Sequence, residues 1–96
     1  MGNVNEFFSV VGTNRNRLVV CADGFTMSVQ AFEGGYCTPG INNANKYTEV
    51  EVGFPSEPEE LLMEWAEEPD RPTQTVYAYV PVQVVTNVLA KHGGIV

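Results

Sequence analysis

An Asp-Gly pair between two apolar runs constrains the fold of this chain more than any other feature of its sequence. Asp23 and Gly24 separate residues 17–21 from residues 25–32, and both residue types tolerate the positive φ angles of a tight hairpin turn. A third apolar run, residues 6–11, precedes this hairpin and is joined to it by a loop of turn-forming residues. The first third of the sequence therefore predicts a three-stranded meander.

Two later segments alternate between apolar and polar residues, as half-buried strands do. Residues 47–54 and 74–80 each predict one strand, which brings the expected sheet to about five strands. The side chains expected to face inward are Thr48, Val50, Val52, Phe54, Val76, Ala78 and Val80. Tyr47 is expected to point outward, and the uncovered sheet face is expected to carry Thr26, Ser28, Gln30, Glu49, Glu51, Tyr77 and Tyr79.

Segment 56–68 predicts a first helix. Ser56 is a suitable N-cap, Pro58 fits the first turn, and Pro69 ends the helix at the residue before it. With 100° of rotation per residue, the helix brings its three large apolar side chains to one side, namely Leu61, Leu62 and Trp65.

A second helix is predicted to begin at Pro81 and to end at Gly93 and Gly94. The order of elements indicates an α+β fold with an antiparallel or mixed sheet of about five strands and two helices packed on one face. The length of 96 residues suits a single domain spanning residues 1–96.

Negative charge is concentrated in one segment of the chain. The net charge is −7, with 12 acidic residues against 5 lysines and arginines. The acids at 57–70 are Glu57, Glu59, Glu60, Glu64, Glu67, Glu68 and Asp70, with no base among them. Such a surface repels phosphate backbones, so direct nucleic-acid binding is disfavoured and a partner with a basic surface is favoured. The segment is either a hydrated, solubilising face or a docking surface for a basic groove.

The connection at 33–46 is long for so small a domain, and such loops are often functional. Its most unusual stretch runs from Tyr36 through Cys37 to Gly40. This stretch is interpreted either as a turn that packs Tyr36 onto the sheet or as a flexible lip that places Tyr36 against a ligand or partner.

Residues for catalysis are sparse. His92, the only histidine, falls in the last turn of the second helix, where an imidazolium meets the negative end of the helix dipole. A Cys37–His92 dyad is the catalytic alternative, and Glu49 with Glu51 is an alternative acid and base pair on a strand face that is otherwise solvated. Cys21 and Cys37 are expected to be reduced thiols, although a bridge between them stays open. The sequence predicts no enzyme activity, no metal and no cofactor.

No apolar run approaches the roughly 20 residues of a membrane span, and the N-terminal residues lack the pattern of a secretory signal. The sequence therefore predicts a cytoplasmic protein that does not engage a membrane.

Several short stretches resemble a family of small, acidic, phage- and prophage-encoded proteins of unassigned activity. The resemblance spans about residues 27–94, and its matching stretches lie at 27–31, 36–39, 50–56, 67–73, 75–77, 79–82 and 92–94. Where the family pattern has a basic residue after Tyr-Cys-x-Pro, this chain has Gly40. Small phage proteins often act against host defence, so the resemblance implies an anti-defence protein of the anti-CRISPR type in an infected bacterial host.

The leading hypothesis is a non-enzymatic protein that inhibits a host defence factor by docking on its basic groove. The residues expected to contact the partner are Glu49, Glu51, Glu57, Glu60, Glu64, Glu67, Glu68, Tyr36, Tyr77 and Tyr79. The alternatives are a module that sequesters a nucleotide and a structural protein that forms a homodimer or larger homo-oligomer through the uncovered sheet face.

Overall fold

A computed structural model describes residues 16–96 of the chain. This part forms an antiparallel sheet of four strands in the order β1-β2-β3-β4, with β1 at Val19–Val20, β2 at Thr26–Gln30, β3 at Glu49–Gly53 and β4 at Val76–Pro81. A 3-10 helix, Glu60–Trp65, lies between β3 and β4, and helix α1, Val82–Lys91, follows β4. The predicted α+β class is confirmed. The strand predicted at 6–11 lies outside the described residues.

The predicted hairpin at Asp23 and Gly24 is confirmed. The backbone amide of Gly24 donates to the carbonyl of Cys21 at 2.9 Å, and Gly24 has a φ of 94° that its missing Cβ permits. The Asp23 carboxylate accepts a hydrogen bond from the Phe25 amide at 2.9 Å. This turn sets the register in which Val19 lies opposite Met27.

One hydrophobic core lies on one face of the sheet. Both helices contribute to it, so both pack on the same face, as predicted. Burying each such aliphatic side chain contributes about 2 kcal/mol. The buried side chains of the strands are Val19, Met27, Val29, Val50, Val52, Tyr77 and Val80, and those of the helices are Leu62, Val85, Val88 and Leu89. No helix within residues 16–96 has the length and apolar character needed to cross a membrane.

A β-bulge in β4 makes the predicted alternation of that strand wrong. Val50 pairs with Val80 and Val52 pairs with Tyr77, so two residues of β4 lie opposite Glu51 alone. The extra residue changes the parity of the strand, and both Tyr77 and Val80 therefore face the core. Tyr77, predicted on the uncovered face, is 0% exposed, and its hydroxyl donates to the carbonyl of Pro72.

The strand predicted at 47–54 is shorter than expected, and the side chains at its two ends face the opposite side from the one predicted. Tyr47 precedes β3 and is buried, with its hydroxyl donating to the carbonyl of Ile41 at 2.6 Å and accepting from the Ala44 amide at 3.2 Å. Thr48 and Phe54, predicted to face inward, are exposed. Strand pairing ends at Gly53, so the alternation does not extend to Phe54.

The helix predicted at 56–68 is a six-residue 3-10 helix with a different cap. Ser56 is not its N-cap, because Ser56 bonds Thr26 instead: its amide donates to the Thr26 carbonyl and its hydroxyl accepts from the Thr26 amide. Glu59 caps the helix instead, accepting a hydrogen bond from the Leu61 amide at 3.0 Å. With three residues per turn, Leu62 lines up with Trp65, whereas Leu61 is turned to solvent.

The end of the chain returns to the first hairpin. Helix α1 ends before Gly93 and Gly94, whose φ angles are 88° and 86°. The chain then runs antiparallel to the end of β1, with Cys21 opposite Ile95. The Asp23 amide donates to the carbonyl of His92 at 3.2 Å. This return brings the C-terminus of α1 against the Asp23–Gly24 turn.

Candidate functional site

A groove opens on the face of the sheet opposite the two helices. Its volume is about 210 Å³, and its walls come from β2, β3 and β4 and from two phenylalanines that follow β2 and β3. Three of the residues predicted on the uncovered face meet here. The lining residues are Ser28, Gln30, Phe32, Glu51, Gly53, Phe54 and Val76.

Gly53 leaves the floor of the groove open. A Cβ at this position would lie 3.7 Å from the Cβ of Ser28 and 3.8 Å from Cγ1 of Val76, which are ordinary van der Waals distances. An added methyl group would therefore begin to fill the floor of the groove without a clash.

The polar side chains of the groove are held in fixed positions. The Gln30 amide nitrogen donates to the Ser28 hydroxyl at 3.0 Å and to the Asn16 carbonyl at 2.9 Å, while its oxygen accepts from the Asn16 amide at 2.8 Å. The Glu51 Oε1 atom accepts from the Tyr36 amide at 3.2 Å. Within residues 16–96, Glu51 Oε2 takes no hydrogen bond, so one carboxylate oxygen at the groove is available to a ligand.

Phe54 is held at the groove in a conformation that bulky residues rarely adopt. Its φ is 50°, and 57% of its surface is exposed. Left-handed backbone at a residue with a bulky side chain costs about 1–3 kcal/mol. The backbone is fixed by hydrogen bonds on both sides, from the Phe54 amide to the Thr75 carbonyl at 3.1 Å and from the Ser56 amide to the Thr26 carbonyl at 2.8 Å. The surrounding strands therefore keep an aromatic ring in solvent.

A second exposed aromatic lies at the bulge of β4, beside Glu51. Tyr79 has a φ of 54°, and its amide donates to the Tyr36 carbonyl at 3.1 Å. The rings of Tyr36 and Tyr79 lie 5.9 Å apart at an interplanar angle of 51°. The predicted partner residues Tyr36, Tyr79 and Glu51 are thus neighbours on the surface. Tyr77 does not join them because it is in the core.

Glu49 and Glu51 hold the long loop onto the sheet. The Glu49 carboxylate accepts from the Thr38 hydroxyl at 2.7 Å, and the backbones of Thr38 and Glu49 form an isolated antiparallel bridge. With the bond from the Tyr36 amide to Glu51, these contacts fix the stretch that the sequence predicts as a lip. Each carboxylate therefore bonds a different residue of this loop, and this arrangement does not favour the acid and base pair.

The acidic residues of the segment at 57–70 are exposed, with the exception of Glu59. Its exposed carboxylates belong to Glu57, Glu60, Glu64, Glu67, Glu68 and Asp70. The hydrogen bond to Glu59 raises the pKa of Lys91, and the negative charges of Glu60 and Glu57 raise it further. A base therefore lies near the start of the segment, which the spacing of residues along the chain did not reveal. From Glu64 to Asp70 the segment carries negative charge alone.

Glu59 differs from the other acids of the segment because it belongs to a charge cluster made of Asp23, Glu59, Lys91 and His92. Glu59 and His92 are buried in this cluster, whereas Asp23 and Lys91 are half exposed. Nε2 of His92 lies 2.6 Å from Oε1 of Glu59, and Nδ1 lies 2.6 Å from Oδ2 of Asp23. The Lys91 ammonium lies 2.9 Å from Oε2 of Glu59. Glu59 is 1% exposed and its carboxylate also accepts the Leu61 amide, so its charge is compensated on both oxygens.

The contacts of this cluster favour a charged imidazolium. Burial lowers the pKa of His92, but the hydrogen bonds to Glu59 and Asp23 outweigh burial and raise it. Burial raises the pKa of Glu59, and the bonds from the Leu61 amide, Lys91 and His92 outweigh it, so the net direction is down. Two carboxylates and two cations then balance. Because both ring nitrogens are engaged, His92 has neither a free lone pair nor a free proton for a substrate.

The two cysteines are free thiols, as predicted, and both are buried. Burial raises the pKa of Cys21, and the nearby Asp23 charge adds to this. Cys37 Sγ lies 3.3 Å from the carbonyls of Phe32 and of Pro39. The Cys37–His92 dyad is therefore not formed, since each member has other partners. Within residues 16–96, no group of three or more His, Cys, Asp or Glu residues is placed to hold a metal ion.

Comparisons with protein-family models, with curated proteins and with solved structures found no match to this chain. The resemblance to phage-encoded proteins therefore stays a prediction.

Proposed function

We propose that this chain is a non-enzymatic binding protein that docks its acidic segment onto a basic groove of a partner protein. The observation that carries the proposal is the exposed run of Glu64, Glu67, Glu68 and Asp70, a stretch of sequence that contains no base. Unpaired charges on a surface steer association with an oppositely charged partner and set its orientation.

The partner class that we propose is a host defence factor whose basic groove normally holds nucleic acid, as expected for an anti-CRISPR type of inhibitor in the bacterial cytoplasm. This choice rests on the resemblance to phage-encoded proteins and on the sign of the charge. An acidic surface competes with a phosphate backbone for the same cations, so occupancy of the groove would exclude the nucleic acid.

The groove on the sheet does not favour the nucleotide-sequestering alternative. Phosphates are bound by convergent arginines or lysines. Among the described residues that line the groove none is basic, and one is the acid Glu51. The volume of about 210 Å³ is also below the roughly 300 Å³ at which pockets for drug-sized ligands begin.

The proposal is tested by binding to a panel of purified CRISPR effector complexes, measured from about 50 to about 300 mM salt. We expect binding to at least one complex, competition by its target DNA, and an affinity that falls as salt is raised. The triple variant Glu64→Gln, Glu67→Gln, Glu68→Gln should bind about tenfold more weakly at low salt.

A matched control changes the net charge by the same amount elsewhere. Asn45→Lys, Gln83→Lys and Asn87→Lys together add three positive charges at exposed positions on the long loop and on α1. We expect this variant to bind like the unaltered protein. Equal losses in both variants would mean that net charge alone acts, and an affinity indifferent to salt would contradict electrostatic docking.

A further inference from the structure

We propose that the groove on the sheet receives an arginine side chain of the partner protein, with Glu51 as the counter-ion and Phe54 as the stacking surface. The inference rests on the proposed function, because it assigns a binding site for one side chain of the basic partner. It concerns a different surface from the acidic segment, so the two can be tested separately.

Charge complementarity selects a cation as the occupant. Glu51 is half-buried in the groove wall, and among residues 16–96 only one of its oxygens takes a hydrogen bond, from the Tyr36 amide at 3.2 Å. Of the described residues that line the groove, Glu51 alone is charged. A guanidinium placed here would donate to Oε2 in a charge-assisted hydrogen bond, and the Ser28 hydroxyl offers a further acceptor.

The aromatic rings favour a planar cation. Phe54 is 57% exposed although its backbone is held in the left-handed region, and Phe32 lines the same groove. Tyr79, the other exposed aromatic with a positive φ, lies beside Glu51 with Tyr36. A guanidinium stacks on aromatic faces while its edge bonds a carboxylate, and this arrangement uses both features of the groove.

The size of the groove fits one side chain. Its volume of about 210 Å³ is below the roughly 300 Å³ at which pockets for drug-sized ligands begin. Gly53 makes the floor, so the head of an inserted side chain would lie against backbone between Ser28 and Val76. A side chain that fills a pocket at an interface and is shielded from water there is the kind of contact that supplies most of the binding energy.

The test uses a short Gly-Ser peptide with one central arginine and, as its neutral match, the same peptide with citrulline. Amide chemical shifts of the ¹⁵N-labelled chain are followed during titration. We expect the arginine peptide to shift the amides of Ser28, Gly53 and Phe54 and to bind at least about fivefold more tightly than the citrulline peptide. Equal binding of the two peptides would overturn the inference.

Three variants locate the site. Glu51→Gln keeps an acceptor for the Tyr36 amide but removes the charge, and it should abolish the difference between the two peptides. Gly53→Ala should weaken binding of the arginine peptide by partly filling the floor. Gln83→Lys makes the same change of net charge at an exposed position on α1 and should leave peptide binding unchanged. A loss in Gln83→Lys equal to that in Glu51→Gln would assign the effect to general electrostatics and contradict the site.

Phe54→Asn separates binding from a structural role. Asparagine adopts positive φ more readily than phenylalanine, so this variant should unfold at the same or a higher temperature while it loses the arginine peptide. A lower unfolding temperature would show that the ring is part of the fold and would count against the site. Two further outcomes would overturn the inference: adenosine monophosphate shifting the same amides, or shifts that grow with protein concentration alone, which would indicate a second copy of this chain.

Discussion

The charge cluster around Glu59 and the acidic segment contain the same residue type in opposite surroundings. Glu59 is enclosed, and its two oxygens meet His92, Lys91 and a backbone amide, whereas Glu64 and its neighbours up to Asp70 face solvent with no base among them. The first arrangement ties the first hairpin, the 3-10 helix and the end of α1 together. The second contributes little to stability, because exposed charges in water interact weakly. The comparison shows that the negative charge of a residue does not determine its role in the structure. The groups that the residue contacts determine it.

The largest expected effect comes from removing the buried carboxylate of Glu59. Glu59→Ala leaves His92 and Lys91 without their shared carboxylate and removes the cap of the 3-10 helix, so it should lower the free energy of unfolding by about 3 kcal/mol. Glu64→Ala, five residues further along, should change it by less than about 0.5 kcal/mol. Urea unfolding of both proteins measures the difference, and equal values would contradict the distinction.

The pH dependence of stability should also come from the cluster. The pKa of His92 is raised above 6.5, so its contribution is complete below pH 6.5 and is lost as pH rises through the folded-state pKa. The pKa of Glu59 lies below 4.5, and that of Asp23 lies below 3.8 because it accepts the Phe25 amide and bonds His92. Their contributions are lost as pH falls.

Stability should therefore be greatest between pH 4.5 and pH 6.5. Thermal unfolding at a series of pH values checks this window. In His92→Gln the decline above pH 6.5 should be absent, since the titrating ring is gone. A decline that persists in this variant would mean that another group causes it.

The smallest expected effect compares two tyrosines of β4. Tyr77→Phe removes the hydroxyl that donates to the Pro72 carbonyl in the core and should cost about 1 kcal/mol of unfolding free energy. Tyr79→Phe removes a hydroxyl from an exposed ring and should cost less than about 0.5 kcal/mol. A larger loss for Tyr79→Phe in urea unfolding would reverse the assigned positions.

The local signals of the sequence predicted the elements well. The Asp-Gly turn, the end of α1 at Gly93 and the strands around Val50, Val52 and Met27 follow from short-range rules on φ angles and alternation, and the structure confirms them. The errors arose where a contact distant in sequence decides the local conformation. The bulge that turns Tyr77 inward depends on pairing with β3. Ser56 does not cap the helix as predicted because its hydroxyl accepts a hydrogen bond from the Thr26 amide.

The charge cluster could not be predicted from the sequence, because its members are also distant from one another along the chain. Its members are separated by 33 residues between Glu59 and His92 and by 69 between Asp23 and His92. The one available signal was a lone histidine on the apolar side of the predicted second helix, next to a glycine end. That signal indicates burial but names no partner. The groove likewise needs the sheet to place Gly53 between Ser28 and Val76.

The most direct test of the difference between buried Glu59 and the exposed acids uses two variants. For each variant, the free energy of unfolding is measured together with the affinity for the CRISPR effector complex that the unaltered protein binds. The account predicts that Glu59→Gln loses stability but, while folded, retains its affinity, and that the triple variant Glu64→Gln, Glu67→Gln, Glu68→Gln loses affinity at unchanged stability. A triple variant that unfolds more easily yet binds its target undiminished would contradict it.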